Sequence, residues 1–179
     1  MGVDVGVDVG VDVDVGVGVG VGVDFLYGRL DFIGGIPQEE FELIVTCDRT
    51  APEQQARAAA PGARKMVIDN APASVRLELK VENRAITSWR LRAADSETEI
   101  AGSSVPYNNT VRVTLYKNFE FQIPLALLGA TVGQILRLRF SLWRDRLPVD
   151  ALPVEGTMDL AIISEDEMSA GAMNYSAFS

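Results

Sequence analysis

Two tryptophans each followed by an arginine, Trp89-Arg90 and Trp143-Arg144, are the residues of this chain best suited to chemistry. An indole offers a flat apolar face for the C–H side of a pyranose ring, and an adjacent guanidinium can hydrogen-bond the ring hydroxyls. The stretch Tyr107-Asn108-Asn109 offers a ring and amides in the same way. A plainer reading stands beside each. Trp89 is in phase with Thr87 and Leu91 on a core face, and Trp143 ends a strand where an indole can cap the sandwich, so packing is favoured for both. Tyr107 lies in a polar loop and is better placed for exposure.

Histidine is absent, which excludes Ser–His–Asp and Cys–His nucleophile systems and histidine-ligated metals. The single cysteine, Cys47, follows Leu43, Ile44 and Val45 and reads as a small buried hydrophobe in a reducing compartment. Carboxylate chemistry for glycoside cleavage needs two acids about 5–9 Å apart across a cleft. The acids here alternate along strand faces instead, and no spacing selects a pair. No catalytic residue and no cofactor is assigned. Asp145 and Asp150 flank a loop that lacks the third carboxylate a cation needs, and the sequons at Asn108 and Asn174 have no secretion context.

Sixteen basic residues against 25 acidic ones leave a formal charge of −9, which argues against nucleic acid or an anionic membrane as partner. No basic targeting region opens the chain, and no apolar run approaches the ~18 residues a membrane helix needs. A cytoplasmic protein is expected.

The elements that must position the candidate residues are strands. From Phe119 to Trp143, Phe119, Phe121 and Ile123 alternate with polar residues. After PLALLG, Leu136, Leu138, Phe140 and Leu142 alternate with Arg137, Arg139 and Ser141. Two strands with one wet face each are implied, joined as an arch or hairpin whose Leu125, Leu127 and Leu128 cap a core. Val75, Leu77, Leu79 and Val81 alternate with charged residues in the clearest half-buried strand, followed by Thr87, Trp89 and Leu91. The period predicts burial of Leu77, Leu79, Leu115, Phe121, Leu138, Phe140 and Leu160, with Arg76, Lys80, Arg112, Arg137 and Arg139 exposed. Phe25–Phe32 and Phe41–Cys47 look like antiparallel neighbours, and Met66–Ile68 like a short strand. Residues 48–64, the segment through Gly102, and 144–156 read as loops. Met158, Leu160 and Ile162 close the sheet. Eight to ten short strands without a long helix make an all-β, two-sheet antiparallel sandwich of jelly-roll or Greek-key type over 25–163, with a tail at 164–179.

Residues 1–24 stand apart. From Val3 to Val23 every odd position is valine, and the even ones are glycine or aspartate. Sliding such a strand by two residues leaves its valine face unchanged, so it has no register of its own. A calcium roll would need a nine-residue unit with paired glycines, which Asp4, Asp8, Asp12 and Asp14 do not form part of. A low-complexity leader is expected, dispensable for the fold or at most adding an edge strand.

Three segments carry a resemblance: Leu26-Tyr27-Gly28-Arg29-Leu30-Asp31-Phe32, then Phe121-Gln122-Ile123-Pro124-Leu125-Ala126-Leu127-Leu128-Gly129, then Leu152-Pro153 through Gly156-Thr157-Met158. In order and spacing they resemble the C-terminal β-sandwich of glycoside hydrolase family 57 enzymes, the α-amylase and glucanotransferase group. The barrel bearing that family's catalytic acids has no counterpart here. The resemblance therefore implies a non-catalytic accessory sandwich, truncated or separately encoded, that supports the enzyme or binds glucan. An α-glucan and a family 57-like catalytic chain are its implied partners. The alternative is a stand-alone carbohydrate-binding module or an interaction protein. Trp89, Arg90, Tyr107, Asn108 and Trp143 are the candidate sugar-contacting residues under either.

Overall fold

The computed structural model describes residues 11–18, 25–50, 72–96, 98–104 and 111–162. Among these are eleven strands, β1 (Val11–Gly18), β2 (Phe25–Phe32), β3 (Phe41–Arg49), β4 (Ser74–Glu82), β5 (Ala85–Ala93), β6 (Glu99–Gly102), β7 (Arg112–Leu115), β8 (Asn118–Pro124), β9 (Ile135–Arg144), β10 (Leu147–Leu152) and β11 (Met158–Ala161). A single helical turn, α1 (Leu125–Leu128), sits between β8 and β9. No described helix is long and apolar enough to cross a membrane.

The strands form two antiparallel sheets, one ordered β1-β2-β8-β7 and the other β10-β9-β3-β4-β5-β6 with β11 also on β9. Alternation explains the core between them. Leu26 and Leu30 of β2 and Phe119, Phe121 and Ile123 of β8 meet Phe41, Leu43 and Val45 of β3, Leu77 and Leu79 of β4, and Leu138, Phe140 and Leu142 of β9. Ring contacts cross the layers, Phe121 to Phe140 with centroids 6.0 Å apart and Phe32 to Phe41 at 5.9 Å. One continuous cluster of buried side chains results, and the all-β sandwich read from the period is the fold.

The connections differ from the sequence reading in several places. β2 and β3 are not neighbours: β2 pairs with β1 and β8, and β3 with β4 and β9, in opposite sheets. Gly34 and Gly35, both at positive φ, turn the chain from one layer to the other, and Ile36 tucks into the core on the way. The β8–β9 element is likewise an arch, with Leu125 and Leu128 buried, Leu127 half-buried, and Gly129 closing α1 in the left-handed region at φ 60°. Two arches therefore lie side by side, and β9 returns to the free edge of β3 in the Greek-key manner.

The segment after Trp143, expected as loop, contains β10, which pairs with the second half of β9 while β11 pairs with the first half. β6, also expected as loop, pairs with β5, and β3 continues through Asp48 and Arg49. Thr87 was placed inward by the two-residue period, but it is exposed and Ile86 packs on the core instead. A bulge opposite Lys80 and Val81 inserts one residue and inverts the alternation there.

Of the expected inward residues, Leu77, Leu79, Phe121, Leu138 and Phe140 are buried, while Leu115 and Leu160 are half-buried on short strands. Lys80, Arg112 and Arg137 are exposed, but Arg76 and Arg139 are half-buried. The β10–β11 connection crosses Arg139, whose Nη1 and Nη2 donate to the carbonyls of Gly156 and Val154 at 3.3 and 3.2 Å. Met66–Ile68, most of the 48–64 loop and the 164–179 tail lie outside the described residues.

Candidate functional site

On the outer face of the larger sheet, strand register lines up side chains from four neighbouring strands. One row runs Trp143, Glu42, Lys80, Ser88 across β9, β3, β4 and β5, and the next runs Ser141, Ile44, Glu78, Arg90. Alternation puts these residues outward because Leu142, Leu43, Leu79 and Leu91 on either side of them point inward.

Two depressions open along these rows, and they share Glu42 and Lys80 as a common wall. The wider, about 470 Å³, lies over Glu78, Lys80, Ser88, Arg90 and Glu99. The narrower, about 270 Å³, lies at the end of the sheet against Glu40, Trp143, Arg144, Asp145 and Arg146. Together they form a groove with donors and acceptors interleaved along it.

The wider lobe has a fixed floor. Glu78 accepts from Arg90 Nε at 2.6 Å on one carboxylate oxygen and from Arg92 Nε at 2.8 Å on the other. Burial works to raise the Glu78 carboxyl, but the hydrogen bonds and charges of Arg90 and Arg92 outweigh it, and the group is held below the usual glutamate range. It stays ionised at neutral pH and orients both arginines. Glu99 folds over Gly102, where a β-carbon would come within 3.1 Å of its carboxyl carbon and of the Trp89 carbonyl. Glycine there leaves room for the carboxylate.

In the narrower lobe, Trp143 faces outward and is half-buried, its Nε1 donating to Ser141 Oγ at 2.8 Å. Arg144 follows it at the end of β9, two residues beyond the buried Leu142, and borders the same lobe. The turn that follows, Asp145-Arg146, is left-handed at both residues, with φ 51° and 65°. Such paired positive φ values make the two-residue hairpin whose twist suits its flanking strands.

The structure thus brings Arg90 and Trp143 to one groove, with Glu42 and Lys80 between them. Trp89 also borders the wider lobe, but it pairs with Leu79 in the inward row and packs half-buried against the core. Its backbone is tied to Ser103, whose N–H donates to the Trp89 carbonyl at 2.9 Å. Tyr107 and Asn108 lie outside the described residues. Among the described residues no group of three acids or cysteines gathers to hold a metal ion.

Sequence reasoning missed Glu42, Glu78 and Lys80, which are far apart in the chain and meet only through register. It also passed over Tyr27, 43% exposed on the outer face of the smaller sheet, above a depression of about 310 Å³ with Arg29, Arg112, Glu120 and Gln122. The signal was present, since Tyr27 alternates with Leu26 and Gly28 on the wet side of FLYGRLDF. No known protein family, curated protein or solved structure matches this chain.

Proposed function

We propose that this chain is a non-catalytic, glycan-binding β-sandwich, the accessory piece of an α-glucan-acting enzyme of the family 57 kind. The observation that carries the reading is the groove between Arg90 and Trp143, where an outward indole sits in register with alternating cationic and anionic side chains. A sugar ring presents an apolar face together with hydroxyls that donate and accept, which is what such a surface satisfies. The three segments of the family resemblance fall on β2, on β8 with α1, and on the β10–β11 edge. They build the frame of the sandwich and lie largely apart from the groove, so the resemblance and the groove support the reading independently.

Affinity electrophoresis through gels containing soluble starch tests it. Retardation of the wild type is expected, with Trp143→Ala weakening binding about tenfold, the loss of roughly 1.4 kcal/mol of stacking and desolvation. Migration unaffected by any neutral glycan would overturn the glycan reading. Release of sugar by the purified chain, abolished by a single carboxylate substitution, would overturn its non-catalytic part.

A further inference from the structure

We propose that the groove on the outer face of the larger sheet takes one linear glycan laid across the strands, about one sugar unit for each strand crossed. The inference rests on the glycan reading and adds the direction and length of the ligand. The row that lines the groove has one outward residue on each of four neighbouring strands, Trp143 of β9, Glu42 of β3, Lys80 of β4 and Ser88 of β5, each paired with the next by register. Neighbouring strands stand ~4.8 Å apart, close to the length of one linked pyranose, so the row spans about four units of such a chain.

The side chains that border the depression set its direction. Both lobes include Glu42 and Lys80, so the lining passes over β3 and β4 without a break. Ile44, the next outward residue along β3, borders neither lobe, so the depression does not run down that strand. Past Ser88 the wider lobe continues to Ser103 and Ser104, which follow β6 in the chain. The opposite end closes on the Asp145-Arg146 turn. Glu42 and Lys80 are both exposed and stand directly opposite each other at the middle of the row. A ligand there meets an acceptor and a donor together. A hydroxyl is served by both, whereas an anion would be repelled by Glu42 and a cation by Lys80. The narrower lobe supplies the outward indole of Trp143 for one ring, so a disaccharide settles at that end. Further units add contacts first at Glu42 and Lys80 and then over Ser88.

NMR titration of the full chain with maltose, maltotetraose and maltoheptaose, followed at the Trp143 indole N–H, tests this. Affinity is expected to rise at least about tenfold from maltose to maltotetraose, and by no more than about fourfold from there to maltoheptaose, the gain from the extra placements a longer chain offers. Lys80→Ala should weaken maltotetraose binding at least about fivefold while leaving maltose within about twofold of wild type. Glu42→Ala, on the neighbouring strand, should reproduce that pattern, so a folding defect in either variant leaves the other to decide. Equal affinity for maltose and maltotetraose, or equal effects of the substitutions on both, overturns the crossing chain and leaves the glycan reading standing. A rise to maltoheptaose well beyond about fourfold overturns the four-unit span in the same way. Wild-type protein that binds none of the three sinks the glycan reading and the crossing chain with it.

Discussion

Gly28 is a small residue demanded by a large one. It pairs with Phe121 across β2 and β8, and a β-carbon there would meet the phenyl ring, with Cζ at 2.5 Å. The Phe121 ring therefore lies over bare backbone, which lets it reach Phe140 of the opposite sheet with centroids 6.0 Å apart. Gly28→Ala should destabilise the fold by about 1–3 kcal/mol, because the ring must leave its packed position. Urea unfolding measures this, and a change below about 0.5 kcal/mol would mean the ring can move without loss. Cys47 shows the core acting on chemistry: burial, aided by the charge of Asp48, pushes its thiol up to about 12. At neutral pH it is a protonated apolar side chain and no nucleophile.

At the level of elements, the larger sheet ends in two matching hairpins. Asn83-Arg84 joins β4 to β5 and Asp145-Arg146 joins β9 to β10, with all four residues at positive φ. β3 lies between the two hairpins, so both turns project from the end of the sheet where the narrower lobe opens. An arginine in the left-handed region costs about 1 kcal/mol that glycine does not. Arg84→Gly should therefore stabilise the fold by about 0.5–1 kcal/mol in chemical unfolding. Arg146→Gly has the same backbone gain but removes a side chain that lines the lobe, so it should raise stability and weaken glycan binding together. A fall in stability at either turn would show that the arginine makes contacts worth more than its strain.

At the scale of the molecule, residues 11–18 of the valine repeat form an edge strand, β1. β1 pairs antiparallel with β2 from Val11 opposite Phe32 to Gly18 opposite Phe25, so its valines stand opposite Leu26, Gly28, Leu30 and Phe32 of the inward row. β2 is thereby covered on both sides. A chain starting at Asp24 keeps the buried cluster that runs from Leu26 to Ile162, so it should still unfold cooperatively, but at a lower midpoint without the pairing of β1. The bared edge of β2 should also pair between chains, seen as concentration-dependent association in sedimentation. Loss of cooperative unfolding would show that the repeat is integral to the sandwich, and an unchanged midpoint that the pairing adds nothing.

The fold class was legible in the sequence because a half-buried strand writes its two faces into alternate residues. SVRLELKVE and ILRLRFSLWR declare which side chains enter the core before any neighbour is known. Strands without clear alternation escaped: EIAG of β6 shows no period, Pro148 and Pro153 punctuate the stretch of β10, and the bulge in β5 reverses the alternation at Thr87. Partner strands were not legible either: an apolar face specifies that a second layer exists but not which strand lies beside it. Gly34 and Gly35 mark a turn in the chain, and only packing decides that the turn crosses between sheets. The groove was the least visible feature. Trp143 and Arg90 stood out by residue type, but Glu42, Glu78 and Lys80 look like any solvated residues until antiparallel register sets β9, β3, β4 and β5 side by side. Likewise, no property of the letters Trp-Arg could show that Nε and Nη2 of Arg144 end buried without an acceptor among the described residues, because burial of a strand-end side chain depends on which loops and strand ends the tertiary structure gathers around it.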